Sequence, residues 1–382
     1  MSDSDRKPVI IVGGGIGGLS AAIALRRAGF EAQVFERAPE PREVGAGISI
    51  WPNASRVLRR WGVLDAAVRR GFPLERGELK SWNGRVLHRM RFAAADDAPG
   101  LLIHRADLHA ALAAALPPWA VHTGAEFERY EERGDCVRAW FTALGEAEGA
   151  ALVGADGLRS AVRRQVLGDG APVYRGYPVW RGVARVGDAS GCDVLTETLG
   201  AGLRFGVVPL GGGRVAWWAT ANEPQGMDDG PSVKAKLLRL FGAWHDPIPM
   251  LVDATPESEI LKNDTCDRPP VRGWGRGRVT LLGDAAHPTT PNLGQGGCMA
   301  IEDAAVLAAC LVGRPDDVPA ALRDFERRRY GRTTWITRQS LRYGRIAQWA
   351  SPAAVRLRDL LCRLTPQAAT DLTMSRMFAF DG

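Results

Sequence analysis

The stretch VIIVGGGIGGLSAAIALRRAGFEAQVFER, residues 9–37, decides how the rest of the chain is read. Val9 to Val12 is a short β-branched run of the kind buried on both faces of a parallel sheet. From Gly18, the residues Leu19, Ala22, Ile23 and Arg26 recur at helical spacing, and Gly29 stands where a glycine ends a helix. Residues 31–37 read as a second strand, completing a βαβ unit. Between strand and helix, Gly13, Gly15 and Gly18 match G-x-G-x-x-G. The first glycine permits a tight turn, the second lets a pyrophosphate approach the backbone, and the third lets helix and strand pack closely. Glu36 falls 18 residues past Gly18 at the end of the second strand, where a carboxylate accepts hydrogen bonds from ribose hydroxyls. The pattern predicts dinucleotide binding and leaves NAD and FAD equally open.

Two distant stretches separate them. GADGLRS (154–160) follows an apolar strand with an Asp-Gly turn at Asp156. LLGDAAHPTTPNLGQGG (281–297) again places an acid, Asp284, just after an apolar strand. Glycines then open an apolar helix near Gln295 and Gly296, offering backbone N–H donors and the positive end of a helix dipole. FAD has ribityl hydroxyls for a second strand-end acid and a ring that gains negative charge on reduction, so a helix N-terminus suits it. A long, bipolar ligand held by both ends of the chain is therefore expected, and FAD is that ligand.

Composition sets the frame around these motifs. With 382 residues the chain has room for two domains, or for one large domain carrying an insertion. Apolar residues make up 46% and charged residues 24%, an ordinary globular balance. The polar start, MSDSDRKP, reads as neither signal nor transit peptide, and the run AAVLAACLV at 304–312 is about half of a membrane span, which needs ~18 residues or more. A cytoplasmic protein without integral membrane association is expected. The net charge of +6 is spread along the chain, and the basic cluster at 325–345 reads as a solvated helix face without a nucleic-acid-binding signature. Cys136, Cys192, Cys266, Cys298, Cys310 and Cys362 are scattered, which points to reduced thiols and away from zinc or any other metal.

The remaining segments order themselves around the first unit. Residues 53–71 read as a helix capped by Asn53, and 104–116 as another. Residues 121–153 alternate as in an antiparallel sheet, 173–220 are rich in strand and tryptophan, and 267–278 look like a return linker. From Ala300 the chain reads as helical almost to its end. The fold class is α/β with an α+β insertion: a Rossmann-like FAD-binding domain (1–72, 100–170 and 271–330), an inserted sheet-rich substrate domain (73–99 and 171–270) and a C-terminal helical segment (331–382).

The set VGGGIGG…FER, GAGI, HRADL, GADG…S and GDAAHPTTPNLGQGGCMAIEDA resembles the class A flavoprotein monooxygenases of the p-hydroxybenzoate hydroxylase-like fold. Its last motif is most similar to those of zeaxanthin epoxidase and FAD-dependent urate hydroxylase. By position, the resemblance implies FAD contacts at Gly13, Gly15, Ile16, Gly18, Glu36, Arg37, Gly47, Arg105, Asp156, Asp284, Pro291, Gly294, Gln295, Gly296 and Gly297. It also implies the reaction: NADH or NADPH reduces the flavin, O₂ forms a C4a-hydroperoxide, and one oxygen atom passes to a small aromatic or unsaturated substrate by hydroxylation or epoxidation. The protein's share is to orient the substrate and exclude water, as a monomer or homodimer.

Three residues are candidates for the substrate end: Arg204, Pro291 and Asn292. Pro291 stiffens the loop over the ring. Urate hydroxylase-like relatives carry an acid where Asn292 stands, and an amide is no base at neutral pH, so a urate-type mechanism is not expected. Arg204 reads either as a binder of an anionic or carbonyl group or as an exposed strand-edge charge. Trp217 and Trp218 point to opposite faces of one strand, so only one can line a pocket. Tyr177, Trp180 and Arg181 read mainly as packing, His287 as structural, and Glu302 and Asp303 as first-turn helix residues. Two other functions fit the motifs less completely: a flavin reductase or oxidase that inserts no oxygen, and a flavin-binding scaffold without turnover.

Overall fold

A computed structural model describes residues 7–40, 46–92, 98–187 and 191–380. Most of the opening MSDSDRKP and Gly45 of GAGI lie outside them. The chain begins as expected with β1 (Val9–Val12), α1 (Ile16–Arg27) and β2 (Ala32–Glu36), then β3 (Gly47–Ile50). Residues 53–71 do not form one helix. Pro52, with its fixed φ and no N–H to lose, takes the first position of α2 (Pro52–Arg60), so Trp51 is the cap and Asn53 lies inside the helix. Gly62, at φ +73°, breaks the run before α3 (Leu64–Val68).

Next come β4 (Phe72–Pro73), β5 (Arg76–Ser81), β6 (Val86–Arg91), β7 (Leu101–His104) and α4 (Arg105–Ala113). Of the alternating residues 121–153, only β9 (Phe127–Arg133), β10 (Cys136–Phe141) and β11 (Gly145–Gly149) pair antiparallel. The flanking β8 (Val121–Thr123) and β12 (Ala151–Gly154) pair parallel with β2 and β1. Strands this short carry no signal of their direction, which is why alternation alone assigns them to the wrong sheet.

After α5 (Ala161–Leu167) the strand-rich region holds β13 (Val173–Arg185), β14 (Leu195–Leu199), β15 (Leu203–Gly211) and β16 (Arg214–Ala221). It continues through α6 (Val233–Phe241), α7 (Ile248–Ala254) and β17 (Leu261–Asp267). The return strand β18 (Val279–Leu281) leads to α8 (Gly296–Gly313), α9 (Val318–Ala347), α10 (Pro352–Leu364) and α11 (Gln367–Phe378). Helix α9 runs unbroken through the expected boundary at 330/331. By length and composition α8 could cross a membrane, which the half-length run in the sequence did not suggest, yet 67% of it is buried inside the protein.

Two sheets position everything else. The parallel sheet has the order β18-β12-β1-β2-β8, and every residue of β1 and β12 is buried. Gly17 lets α1 approach α8, since a Cβ there would stand 2.9 Å from Leu282 and 3.3 Å from Ala300. The larger sheet has the order β17-β13-β16-β15-β14-β5-β6. One of its faces packs Trp180, Phe205 and Trp217 against Phe241 and Leu251 of α6 and α7. The other carries Arg181, Trp218, Gly206 and Glu197 in one cross-strand row and turns toward the parallel-sheet unit. Cys136, Cys266, Cys298, Cys310 and Cys362 are free thiols.

Candidate functional site

The end of the site near α1 is built from backbone. Gly13 sits at φ +105°, where a Cβ would stand 2.6 Å from the Ala155 carbonyl. A Cβ on Gly18 would collide with the Gly13 carbonyl at 1.8 Å, so strand and helix meet only through glycine. Gly15 caps α1 and faces open space: among the described residues nothing lies within 4 Å of the Cβ it lacks. No side chain among them caps the helix either, so the first N–H groups of α1 have no side-chain acceptor. Glu36 is held ready, its carboxylate accepting from Gly14 N at 2.6 Å and Ala38 N at 2.8 Å. His109 of α4 hydrogen-bonds the Gly14 carbonyl at 2.7 Å, fixing the loop from its other side. The sequence offered no motif for that histidine. Arg37 and Arg105 are exposed at the rim, Arg105 opening α4.

Asp156 is hydrogen-bonded within its own segment. Its carboxylate accepts from Ser160 Oγ at 2.5 Å, Ala161 N at 2.7 Å and Val162 N at 3.2 Å, and so caps α5. Burial raises its carboxyl, and these hydrogen bonds oppose the rise.

The other end is built from side chains. Asp284 is exposed, although the surrounding protein still desolvates its carboxyl. That desolvation raises its carboxyl above the usual range, against the pull of His287 and Arg105. Pro291 opens a 3-10 turn, Pro291–Leu293, and Gly294 follows at φ +61°, close to the Trp51 indole. Gln295 caps α8, and Gly296 and Gly297 form its first turn, uncapped by any described side chain. The amide of Gln295 is 1% exposed, accepts from Asn53 Nδ2 at 3.0 Å, and leaves its own Nε2 without a partner among the described residues. Gly47 of β3 lies against Val208 and Ala216, joining this end to the larger sheet.

Behind the start of α8 lies a buried charge network. Glu302 and Asp303 are fully buried and stand in the second turn, not the first. Arg329 of α9 bridges them, 2.7 Å from Glu302 and 2.6 Å from Asp303, and Arg332 adds a 2.5 Å ion pair to Glu302. Asp303 also accepts from Gly283 N and bonds His287 Nε2 at 2.7 Å. Burial alone would raise the Asp303 carboxyl, but His287 and Arg329 hold it down to about 2. His287 is thus structural, as expected. The C-terminus closes over the same region: Arg332 bonds the Met377 carbonyl, and Phe378 stacks on Trp51 at 5.0 Å.

Arg204 is no strand-edge charge. It lies on an inner strand at 2% exposure, with Nε donating to Glu197 at 2.8 Å and Nη1 to Asn292 Oδ1 at 2.7 Å. Asn292 also donates to Tyr177 Oη at 3.0 Å, Thr290 Oγ1 at 2.8 Å and the Ser340 carbonyl at 3.0 Å. One amide therefore ties the Pro291 turn to β13, β15 and α9. Of the two tryptophans, Trp217 is core, donating to Thr255 at 2.8 Å, and Trp218 is the half-buried one, stacked on Arg204 at 4.9 Å.

The residues present fit FAD: an open glycine cradle, a strand-end acid at either end, and two helix N-termini without a side-chain cap among the described residues. Comparison with known proteins agrees. Residues 6–314 match the family model described as an FAD binding domain. The chain is 42% identical to the aurachin C monooxygenase/isomerase of Stigmatella aurantiaca, covering 97% of this chain and 98% of the relative. It is 38% identical to the 3-amino-4-hydroxybenzoate 2-monooxygenase of Streptomyces cremeus, covering 90% and 88%. The crystal structure of Klebsiella pneumoniae HpxO complexed with FAD and uric acid superposes with a TM-score of 0.90 at 31% identity, covering 97% of this chain and 96% of that one.

Proposed function

Because this chain belongs to the FAD-binding-domain family of class A flavoprotein monooxygenases and works with FAD and NAD(P)H, we propose that its substrate is a small, largely apolar aromatic molecule that receives one oxygen atom as a hydroxyl. Bound FAD, reduced by NAD(P)H, supplies the activated oxygen from O₂. The chain's own residues hold and shield. Gly13, Gly15 and the start of α1 take the diphosphate, and Glu36 takes a ribose hydroxyl. Asp284 accepts from the ribityl chain, and the first turn of α8, at Gly296 and Gly297, faces the charge that grows on the ring. Arg37 and Arg105 neutralise the diphosphate from the rim.

The observation that carries the substrate reading is the join at Asn292. This residue follows Pro291 at the ring end and hydrogen-bonds Tyr177 and Arg204 on the larger sheet, so oxygen delivery and an aromatic wall form one unit. An amide there takes no proton, and its hydrogen bonds are already committed, so ring activation does not begin at residue 292. The substrate is therefore electron-rich without a base at that position. The name of one relative, a 3-amino-4-hydroxybenzoate 2-monooxygenase, supports an aromatic nucleus.

We read the discontinuous parts 1–72, 100–170 and 271–330 as the cofactor-binding unit and the larger sheet as the substrate wall. A cytoplasmic location is supported by the free thiols of Cys136, Cys266, Cys298, Cys310 and Cys362. The test is NAD(P)H oxidation under ¹⁸O₂ across a panel of aromatic compounds. One labelled oxygen per product is expected, and a reduced product without label would overturn the reading in favour of a reductase.

A further inference from the structure

Arg204 stands within the candidate substrate wall, and it is sealed. Glu197 of β14 takes its Nε, and Asn292 takes Nη1. The second oxygen of Glu197 accepts from Tyr343 Oη at 2.7 Å, which anchors the carboxylate to α9. The guanidinium faces are covered as well. Trp218 lies across Gly206, where a Cβ would stand 2.1 Å from the indole, and reaches Arg204 at 4.9 Å. Tyr343 and Tyr177 stand 5.7 and 6.0 Å away. The pairing follows from register: Arg204 stands opposite Leu199, so Glu197 lies two residues along the neighbouring strand on the same face.

An unpaired guanidinium at this spot would recruit a carboxylate or another planar anion through a bidentate bond. Here Glu197 is already that anion. Arg181 also belongs to this face, opposite Trp218, but its guanidinium donates to Asn263 of β17 at 3.3 Å rather than to Glu197. We infer that Glu197 sets substrate charge: by neutralising Arg204 inside the wall, it restricts the substrate end of the cleft to uncharged aromatic ligands. This rests on the monooxygenase reading above and narrows it. Glu197 acts through Arg204, as a positioning and specificity-determining residue.

The test uses the flavin-loaded enzyme and a matched pair of probes, 4-hydroxybenzamide and 4-hydroxybenzoate, titrated calorimetrically at neutral pH without turnover. Wild type is expected to bind the amide at least as tightly as the carboxylate. Glu197→Gln should move the ratio toward the carboxylate by about ten-fold or more, the effect of one additional charge-assisted hydrogen bond. The paired variant E197Q/R204M, which removes both charges, should return the ratio to that of wild type. It also guards against E197Q failing to fold around a bare arginine. A wild-type preference for the carboxylate would overturn the inference. So would an E197Q ratio that stays put, or a folded E197Q that binds neither probe. Failure of the underlying reading shows separately, as a reduced product without label in the ¹⁸O₂ assay.

Discussion

The two ends of the cleft are made of different material. At the α1 end the ligand-facing groups are backbone N–H groups, and the side chains that matter are the ones glycine lacks. At the α8 end the same device, an uncapped helix N-terminus, is backed by fully buried carboxylates, two arginines and a histidine. A backbone cradle is fixed by sterics within one βαβ unit. The long connection from β18 to α8, residues 282–295, has no such internal constraint, so other elements must hold it. Asp303 does so by gripping Gly283 N, His287 and Arg329 at once.

The sharpest way to break this contrast is to remove Arg329. Arg329→Ala leaves Glu302 and Asp303 buried with half their charge uncompensated, and unfolding free energy should fall by ~3–5 kcal/mol in urea titrations. A loss below ~1 kcal/mol would mean that the network is not what holds the α8 end. The acid response adds a sign. Asp303 is held near 2 in the folded chain, below its unfolded value of about 3.9. Its contribution is therefore present at neutral pH and fades as pH falls from about 4 toward 2. Asp303→Asn should lower stability at neutral pH and flatten that acid limb.

The contrast also explains what could be read in advance. The nucleotide end was legible because everything it needs lies within residues 9–37 and follows from spacing. Asp284 and the glycines of α8 were legible for the same local reason. The grip on them was not, since it joins Gly283, Asp303 and Arg329 across three elements, and periodicity gives no partner. Arg204 was left between two roles because its partner depends on the register of β14 against β15, which neither strand states alone. Asn53 was misread because Pro52, beside it, is the stronger helix starter. Alternation did show that Trp217 and Trp218 part ways, but it could not tell which face meets α6 and α7.

A second measurement probes the cofactor side of the α8 end. Asp284→Ala should weaken FAD retention by ~1.5–3 kcal/mol, the worth of a hydrogen bond to a charged group, read by flavin absorbance after dialysis. Because the Asp284 carboxyl is raised, retention by wild type should begin to fall at a pH above the ordinary aspartate range as the acceptor is protonated. The variant should lack that step. Full flavin occupancy in the variant would remove Asp284 from the site.

Gly15→Ala asks the complementary question at the α1 end. The position faces open space, so the fold should keep its stability within ~0.5 kcal/mol. The added methyl occupies room the diphosphate needs, and FAD affinity should drop by about ten-fold, or ~1.4 kcal/mol. Equal affinity in the variant would show that the cradle is not where the diphosphate lies.

The smallest effects expected come from the paired tryptophans, and they separate wall from core. Trp217→Phe removes a buried indole donor from Thr255 Oγ1 and should lower stability by ~1 kcal/mol, leaving probe binding by the holoenzyme unchanged. Trp218→Phe keeps a ring over Gly206 but weakens the stack on Arg204, an interaction worth ~0.5–1 kcal/mol. That change should surface in the affinity for 4-hydroxybenzamide more than in the unfolding curve, since Trp218 is half-buried on the cleft face. If the two variants exchanged these phenotypes, the assignment of sheet faces to wall and core would be reversed. The substrate would then have to enter from the side of α6 and α7, which Phe241 and Leu251 fill.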